Sequence, residues 1–268
     1  MISAANDMNT QMDIKTLTIN PGVDKNGDPE PIEPITVRQG QLVGITGPTG
    51  SGKSRLLADI EYLAQSDTPT KRQILLNGEK PDYALRFSPS FRLVAQVSQN
   101  MNFVLDLRVG EFLRMHAQCR GYSDSDSVVE QVFEAGNDMA GESFKLDTPL
   151  SSLSGGQSRA LMIADVAYLS KSPIVVIDEI ENAGIDRKQA LDLLTRQQKI
   201  VLIATHDPIL ALITEYRLVF KNGAIVKISK TTDGEKKILS QLEEYDNYLL
   251  HFREQLRKGQ TLSETVKL

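Results

Sequence analysis

An α/β fold around a mainly parallel sheet is what this sequence predicts, and three observations predict it. A Gly-rich run, Gly47-Pro-Thr-Gly-Ser-Gly-Lys-Ser54, stands between the strand-like Gln41–Thr46 and the helical pattern of Arg55–Leu63. Two runs, Ile174–Ile177 and Ile200–Ala204, carry no polar residue, the composition of strands buried on both faces. Segments with helical spacing alternate with them, and such alternation lays helices over a parallel sheet.

Composition sets the bounds. The chain has 268 residues, 40% hydrophobic and 24% charged, enough to bury a core in one or two domains. A formal net charge of -5 gives no whole-molecule field toward nucleic acid and leaves only a local basic patch open. The single cysteine, Cys119, cannot form an internal disulfide, so a reducing compartment is expected, with Cys119 an inert packing residue. No Cys/His spacing suits a metal. The first residues have neither a basic start nor an apolar run, and no window approaches the ~20 apolar residues of a membrane span. The expectation is a soluble, cytoplasmic chain, with a membrane-bound partner left open.

The elements follow in order. After a loose first dozen residues, Ile14, Leu17 and Ile19 give a short strand stopped by Asn20-Pro21-Gly22, and a turn-rich loop holds Asp24–Pro29 with prolines at 31 and 34. Ile35–Val37, the Gln39-Gly40 turn and Gln41–Thr46 lead into the Gly-rich run. Leu56, Ile60 and Leu63 share one face of the following helix. Gln73–Leu76 is a strand closed by Asn77-Gly78, which with the strands before residue 40 suggests an antiparallel β annex. Arg92–Gln99 reads as a core strand. From about residue 100 the pattern turns helical, through Val109–Met115, the Gly121–Ser127 linker and Val128–Phe133, and a further helix follows Leu153–Gln157. Pro173 introduces the Ile174–Ile177 strand, Asp186–Gln198 is helical, and Ile200–Ala204 exits at His206-Asp207. Tyr216–Phe220, Asn222-Gly223 and Ala224–Ile228 make a hairpin. In the tail, Leu242, Tyr245, Leu249, Phe252 and Leu256 recur every three or four residues on a charged helix. Packing of this stripe back onto its own domain is the expectation, and a dimer or partner contact the alternative.

The Gly-rich run has the spacing of a phosphate-binding loop. Gly47, Gly50 and Gly52 allow a tight turn whose N–H groups, with the helix N-terminus behind them, hold a polyphosphate. Lys53 would reach the β- and γ-phosphates and Ser54 a Mg²⁺ bridging them. Asp178-Glu179 and His206 close two apolar strands; taken singly, each is ordinary as a solvated strand end or a helix cap. Leu153-Ser-Gly-Gly-Gln157 is more diagnostic, because five specified residues arise by chance in about one chain in several thousand.

With these motifs in this order, residues 12–229 resemble the nucleotide-binding domain of ATP-binding cassette (ABC) ATPases, a P-loop NTPase fold with an antiparallel β annex and a helical signature subdomain. Gly47, Pro48, Thr49, Gly50, Ser51, Gly52, Lys53 and Ser54 match the family's Walker A loop, Gln99 its Q-loop glutamine, and Leu153–Gln157 its signature. Ile174–Glu179 matches Walker B, Ala183–Asp186 the D-loop, and Thr205–Asp207 the switch histidine. The resemblance implies ATP and Mg²⁺ as cofactors, with Ser54, Gln99 and Asp178 at the metal and Glu179, His206 and Gln99 catalytic. It also implies a head-to-tail homodimer, or a heterodimer with a related chain, in which Ser154, Gly155, Gly156, Gln157 and Asp186 complete the site of the facing subunit. The helical subdomain spans about residues 100–165, and residues 230–268 form an amphipathic tail. The process driven is read as membrane transport through a membrane-spanning permease subunit, at the inner face of the membrane. Remodelling of a soluble protein or nucleoprotein partner is the alternative. Three positions depart from the family pattern. No aromatic residue precedes Tyr62 to stack on adenine; Arg55 stands where a second Ser or Thr is usual, to pair with phosphate or to face a partner; and Asp178–Asp186 is one residue longer with Ile180 in place of Pro.

Overall fold

The computed structural model describes residues 13–87, 92–98, 101–180 and 184–262. Three short strands form a small antiparallel sheet in the order β2-β1-β4: β1 (Thr16–Asn20), β2 (Ile35–Arg38) and β4 (Gln73–Leu76). Its alternation is strict, with Leu17 and Ile19 buried and Thr18 turned out against Thr36. Asn77 and Gly78 end β4 with positive φ of 51° and 81°, the pair of conformations an Asn-Gly turn supplies. The Asn77 side chain then accepts from the Lys15 and Thr16 amides, at 2.8 and 3.1 Å, which pins the turn to β1.

The larger sheet has six strands: β5 (Val94–Ser98), β6 (Ile174–Asp178), β7 (Ile200–Ala204), β3 (Leu42–Thr46), β8 (Tyr216–Lys221) and β9 (Ala224–Lys230), in that order across it. The first five run parallel, and β9 returns antiparallel as the hairpin partner of β8. Because side chains alternate along a strand, the apolar runs serve both faces at once. Val175, Ile177, Val201 and Ile203 enter the core beneath the helical lobe, while Ile174, Val176, Ile200 and Leu202 enter the core shared with the small sheet. Fully burying a side chain of this size contributes about 1.5–3 kcal/mol, so these two central strands carry a large share of the stabilisation.

Helix α1 (Lys53–Glu61) lies in the second core through Leu56, Leu57 and Ile60. It begins two residues earlier than the hydrophobic pattern indicates, because Lys53 and Ser54 have helical conformation without belonging to the apolar face. The short α2 (Tyr83–Phe87) follows the small sheet. The helical lobe comprises α3 (Val109–Cys119), α4 (Ser125–Met139) and α5 (Gly155–Tyr168), packed through Val128, Val132, Met139, Leu161 and Ala164. Cys119 is exposed on α3 and is not a packing residue: Leu113 and Ala117 take the buried face, and Cys119 lies two residues past it. Helices α6 (Arg187–Arg196) and α7 (Pro208–Ile213) flank β7. The short α7 is absent from the sequence pattern, since a six-residue helix shows less than two turns of periodicity.

Beneath the small sheet lies a charged cluster that the sequence pattern conceals within a polar loop. Arg72 is fully buried and pairs with Glu30 through Nη2–Oε1 at 2.5 Å and Nε–Oε2 at 3.2 Å, and with Asp59 through Nη1–Oδ2 at 3.0 Å. It also donates to the Gly223 carbonyl at 2.9 Å. Four separated segments are thereby joined by one side chain.

The tail is a single helix, α8 (Asp233–Arg257), capped by a reciprocal Thr232–Glu235 pair. Glu235 also pairs with Arg217 at 2.6 Å, and its carboxyl is held below the usual range, chiefly by the Thr232 backbone N–H, with the Thr232 hydroxyl and Arg217 adding to this. Further along, Glu243 meets Lys188 at 2.8 Å and Asp246 meets Arg187 at 2.6 Å. The expected packing of the apolar stripe onto the domain does not occur: Tyr245, Leu249 and Leu256 are 44%, 53% and 58% exposed, with Leu242 and Phe252 half-buried. The reason is rotational. At ~100° per residue, the face carrying Glu235 and Asp246, which pair with Arg217 and Arg187 of the domain, is about a quarter turn from the stripe.

Candidate functional site

The site is built on the loop between β3 and α1. Its shape demands glycine at particular positions. Gly52 caps α1 at φ 109°, and a Cβ there would lie 2.9 Å from the Gly223 Cα; a Cβ on Gly47 would lie 2.6 Å from the Phe220 carbonyl oxygen. Gly50, at φ 73°, meets nothing and keeps the crest of the loop open. Pro48, Thr49 and Gly50 are exposed, while Ser51 Oγ is buried without a partner among the described residues. The Lys53 ammonium, nearly buried, sits inside the curve. It donates to the Gly47 and Pro48 carbonyls at 2.9 and 3.2 Å and lies 3.0 Å from His206 Nε2.

Register in the sheet brings the remaining groups to this point. Asp178, the last residue of β6, pairs with Ala204, the last of β7, so both chains leave the sheet at the same level as the phosphate loop. Ser54 Oγ donates to Asp178 Oδ2 at 3.3 Å. Glu179 turns off the strand with φ 53°, a left-handed conformation that costs a non-glycine residue about 1–2 kcal/mol, and its amide is held by the Ala204 carbonyl at 3.1 Å. Glu179 Oε1 then lies 3.7 Å from His206 Nε2. Lys53, Ser54, Asp178, Glu179 and His206 thus form one cluster. Gln99 and Ala183 lie outside the described residues.

His206 is set by its neighbours in the chain. Asp207 caps α7 by accepting from the Ile209 amide at 2.7 Å, and its own amide donates to Thr205 Oγ1 at 3.0 Å. Arg187 pairs with Asp207 on one side and with Asp246 of α8 on the other. Asp186 caps α6 by accepting from the Gln189 amide at 3.0 Å, and its amide donates to the Met139 carbonyl at 2.8 Å. Ile185 forms a bridge with Ala140, so this segment is fastened to the end of α4.

Leu153–Gln157 lies elsewhere. Ser154 caps α5 and forms a reciprocal pair with Gln157, whose amide nitrogen also donates to the Glu142 and Ser143 carbonyls at 3.2 Å each. These bonds stay within the helical lobe and none reaches the phosphate loop. Ser154 and Gly155 are exposed. Arg55 is exposed on the first turn of α1.

Lys25 is a residue that the sequence reading missed. Its Nζ donates to the Gly50 carbonyl at 2.9 Å and its amide to the Asn222 carbonyl at 3.1 Å. Asp24 holds the loop from beneath, its carboxyl kept below the usual range chiefly by the Asp28 amide, and the Gly223 amide donates to the Ser51 carbonyl at 2.7 Å. Loop 22–30 and the β8–β9 turn therefore brace the phosphate loop together. The Asp24-Lys-Asn-Gly run announces a turn, but nothing local says which loop that turn will touch.

The donor set fits a metal-nucleotide rather than a metal alone. Among the described residues no group of three or more His, Cys, Asp or Glu side chains could hold a metal ion. Ser54 and Asp178 offer two oxygens, and Mg²⁺ is ordinarily held by one or two protein oxygens with phosphates and water supplying the rest. A parallel sheet whose first helix opens on this loop, with a carboxylate pair and a histidine at adjacent strand ends, defines the nucleotide-binding P-loop class.

Within that class the chain belongs to the ABC transporter family, whose model matches residues 34–182. It is an ABC-type ATP-binding protein with that family's fold. An uncharacterised ABC transporter ATP-binding protein of Methanocaldococcus jannaschii is 54% identical over 252 residues, covering 94% of this chain and 96% of that one. A methionine import ATP-binding protein of Francisella tularensis subsp. holarctica is 30% identical over 212 residues, covering 74% and 58%. Among solved structures, cbiO1 of Clostridium perfringens, part of the ABC transporter complex cbiONQ, superposes with a TM-score of 0.62 at 20% identity, over 90% of this chain and 99% of that one. Among the described residues no helix is long and apolar enough to cross a membrane.

Proposed function

We propose that this chain binds Mg-ATP and hydrolyses it at a head-to-tail dimer interface, as the ATP-binding subunit of a membrane transporter. The observation that carries the reading is the convergence of Lys53, Ser54, Asp178, Glu179 and His206 on one phosphate loop. Gly47 to Ser54 cradle the phosphates through backbone N–H groups, and Lys53 neutralises the β- and γ-oxygens. Ser54 and Asp178, with Gln99, would hold Mg²⁺, which would supply charge neutralisation at the phosphates when bound. Glu179 accepts a hydrogen bond from the attacking water and polarises it, and His206, within reach of both Lys53 and Glu179, contacts the γ-phosphate.

Exposure of Ser154 and Gly155 at the N-terminus of α5 supports their use on the facing subunit's γ-phosphate, with Asp186 and Arg55 lining the same interface. Residues 12–229 make up the ATPase unit and 230–268 its helical tail. Transport is supported by the relatives' names, and a permease subunit is the partner that reading requires, at the inner face of the membrane.

The test is Glu179→Gln. Loss of the carboxylate leaves the phosphate cradle intact, so ATP binding persists, turnover falls by about 100-fold or more, and the ATP-bound dimer accumulates. Phosphate release and size-exclusion chromatography with Mg-ATP read both effects. Turnover at the parent rate, or a variant that stays monomeric with ATP, rejects the assignment.

A further inference from the structure

The crest of the phosphate loop is held from outside rather than packed in place. A Cβ on Gly50, at φ 73°, would meet nothing within 4 Å, so no described side chain fixes this exposed glycine by contact. Its shape rests on two carbonyls instead. That of Gly50 accepts from Lys25 Nζ at 2.9 Å, and that of Ser51 from the Gly223 amide at 2.7 Å. In a planar trans peptide the carbonyl and the following N–H point opposite ways. Holding these carbonyls therefore turns the next two amides about, Ser51's onto the Pro48 carbonyl at 3.1 Å and Gly52's away from the β8–β9 turn. Lys25 is exposed, yet its stem is guided. Its amide donates to the Asn222 carbonyl at 3.1 Å, and a Cβ on Gly223 would lie 2.9 Å from Lys25 Cγ, so the stem lies across that glycine. Asp24, just before it, accepts from the Asn26 and Asp28 amides at 2.7 and 3.0 Å and from Asn222 Nδ2 at 2.9 Å.

We propose that Lys25 is a positioning residue for the nucleotide, its ammonium keeping the phosphate loop in its binding shape through the Gly50 carbonyl before the phosphates arrive. This rests on the ATP-binding reading given above. Glycine populates positive and negative φ about equally, so a crest released from this bond visits other conformations. Affinity then falls in proportion to the fraction of chains still in the binding shape. Once seated, the phosphates hold the crest themselves, so the loss falls on binding and leaves bond cleavage nearly untouched. It also falls on the phosphate end of the ligand, so every nucleoside triphosphate shares it whatever its base.

The experiment is calorimetric titration of the full chain and of Lys25→Met with Mg-ATP and with Mg-GTP, beside steady-state turnover of ATP. For Lys25→Met, Kd for both nucleotides and KM for ATP should rise about fivefold, a modest factor because the bond is exposed to solvent, with kcat within about twofold of the parent. The melting temperature without nucleotide should stay at the parent value. Lys25→Arg, whose guanidinium still donates to a carbonyl, should recover most of the affinity. An unchanged Kd in Lys25→Met overturns the proposal, as does a loss confined to one of the two bases, a fall in kcat with KM unchanged, or a Lys25→Arg chain no tighter than Lys25→Met. A parent chain that binds neither nucleotide rejects the ATP-binding reading and this proposal with it, whereas a parent that binds beside a Lys25→Met chain that binds equally well rejects the role of Lys25 alone.

Discussion

Replacing Arg72 by Met tests the buried charge cluster behind the phosphate loop. The guanidinium is fully buried and partners Glu30, Asp59 and the Gly223 carbonyl, so its removal strands two carboxylates that are themselves out of water. Breaking a buried pair in this way costs about 3–5 kcal/mol, most of it from the charge left behind. Part is recovered, since Glu30 keeps the Gly22 and Ile225 amides at 2.8 and 2.6 Å and Asp59 keeps the Thr70 hydroxyl at 2.8 Å. The expected loss is therefore about 3 kcal/mol, the low end of that range. With a urea m-value of about 3 kcal/mol/M, the midpoint should fall by about 1 M. Far-UV circular dichroism is the readout, the chain having no tryptophan. Adding Glu30→Gln and Asp59→Asn should return about half of the loss, because the uncompensated charges are gone. A midpoint shift under ~0.3 M for Arg72→Met would refute the claim that this cluster holds the four segments together.

Arg187→Gln removes the link between Asp207 and Asp246; turnover should fall about tenfold with KM for ATP little changed, since His206 loses its support and the phosphate cradle does not. Burial pulls the Lys199 ammonium from 10.5 down to about 8, so the folded chain sheds that proton while the unfolded chain still keeps it. Stability should therefore rise between pH 8 and 10.5, by at most about 3 kcal/mol, and melting curves of Lys199→Met should lack that rise. GTP should compete with ATP to within about tenfold in a displacement titration, equivalent to ~1.4 kcal/mol, because Pro21 and Val23 offer no aromatic platform and Tyr62 lies at the far end of α1. Far stronger ATP preference would require an aromatic contributed from outside loop 22–30.

The sequence by itself determined the sheet and the tight turns of the Gly47–Ser54 loop. Ile174–Ile177 and Ile200–Ala204 could only be strands buried on both faces, and Asn77-Gly78 and Asn222-Gly223 each fixed a turn. Gly47 to Ser54 announced its own shape, since the positive φ at 47, 50 and 52 admits little but glycine. Such features are encoded in residues adjacent along the chain, by period, turn chemistry and steric allowance. Tertiary structure alone decided the rest. Arg72 finds Gly223 across 151 residues and Glu30 across 42, and Lys25 finds Gly50 across a loop that the sequence showed only as polar. Arg187 joins Asp207 to an aspartate 59 residues away, and by doing so turns the apolar stripe of α8 toward solvent instead of the core. A charged side chain carries no periodic mark of its partner: which opposite charge it meets is fixed only when the packed strands and helices bring distant segments within a few ångströms, where Coulomb attraction and desolvation are both large.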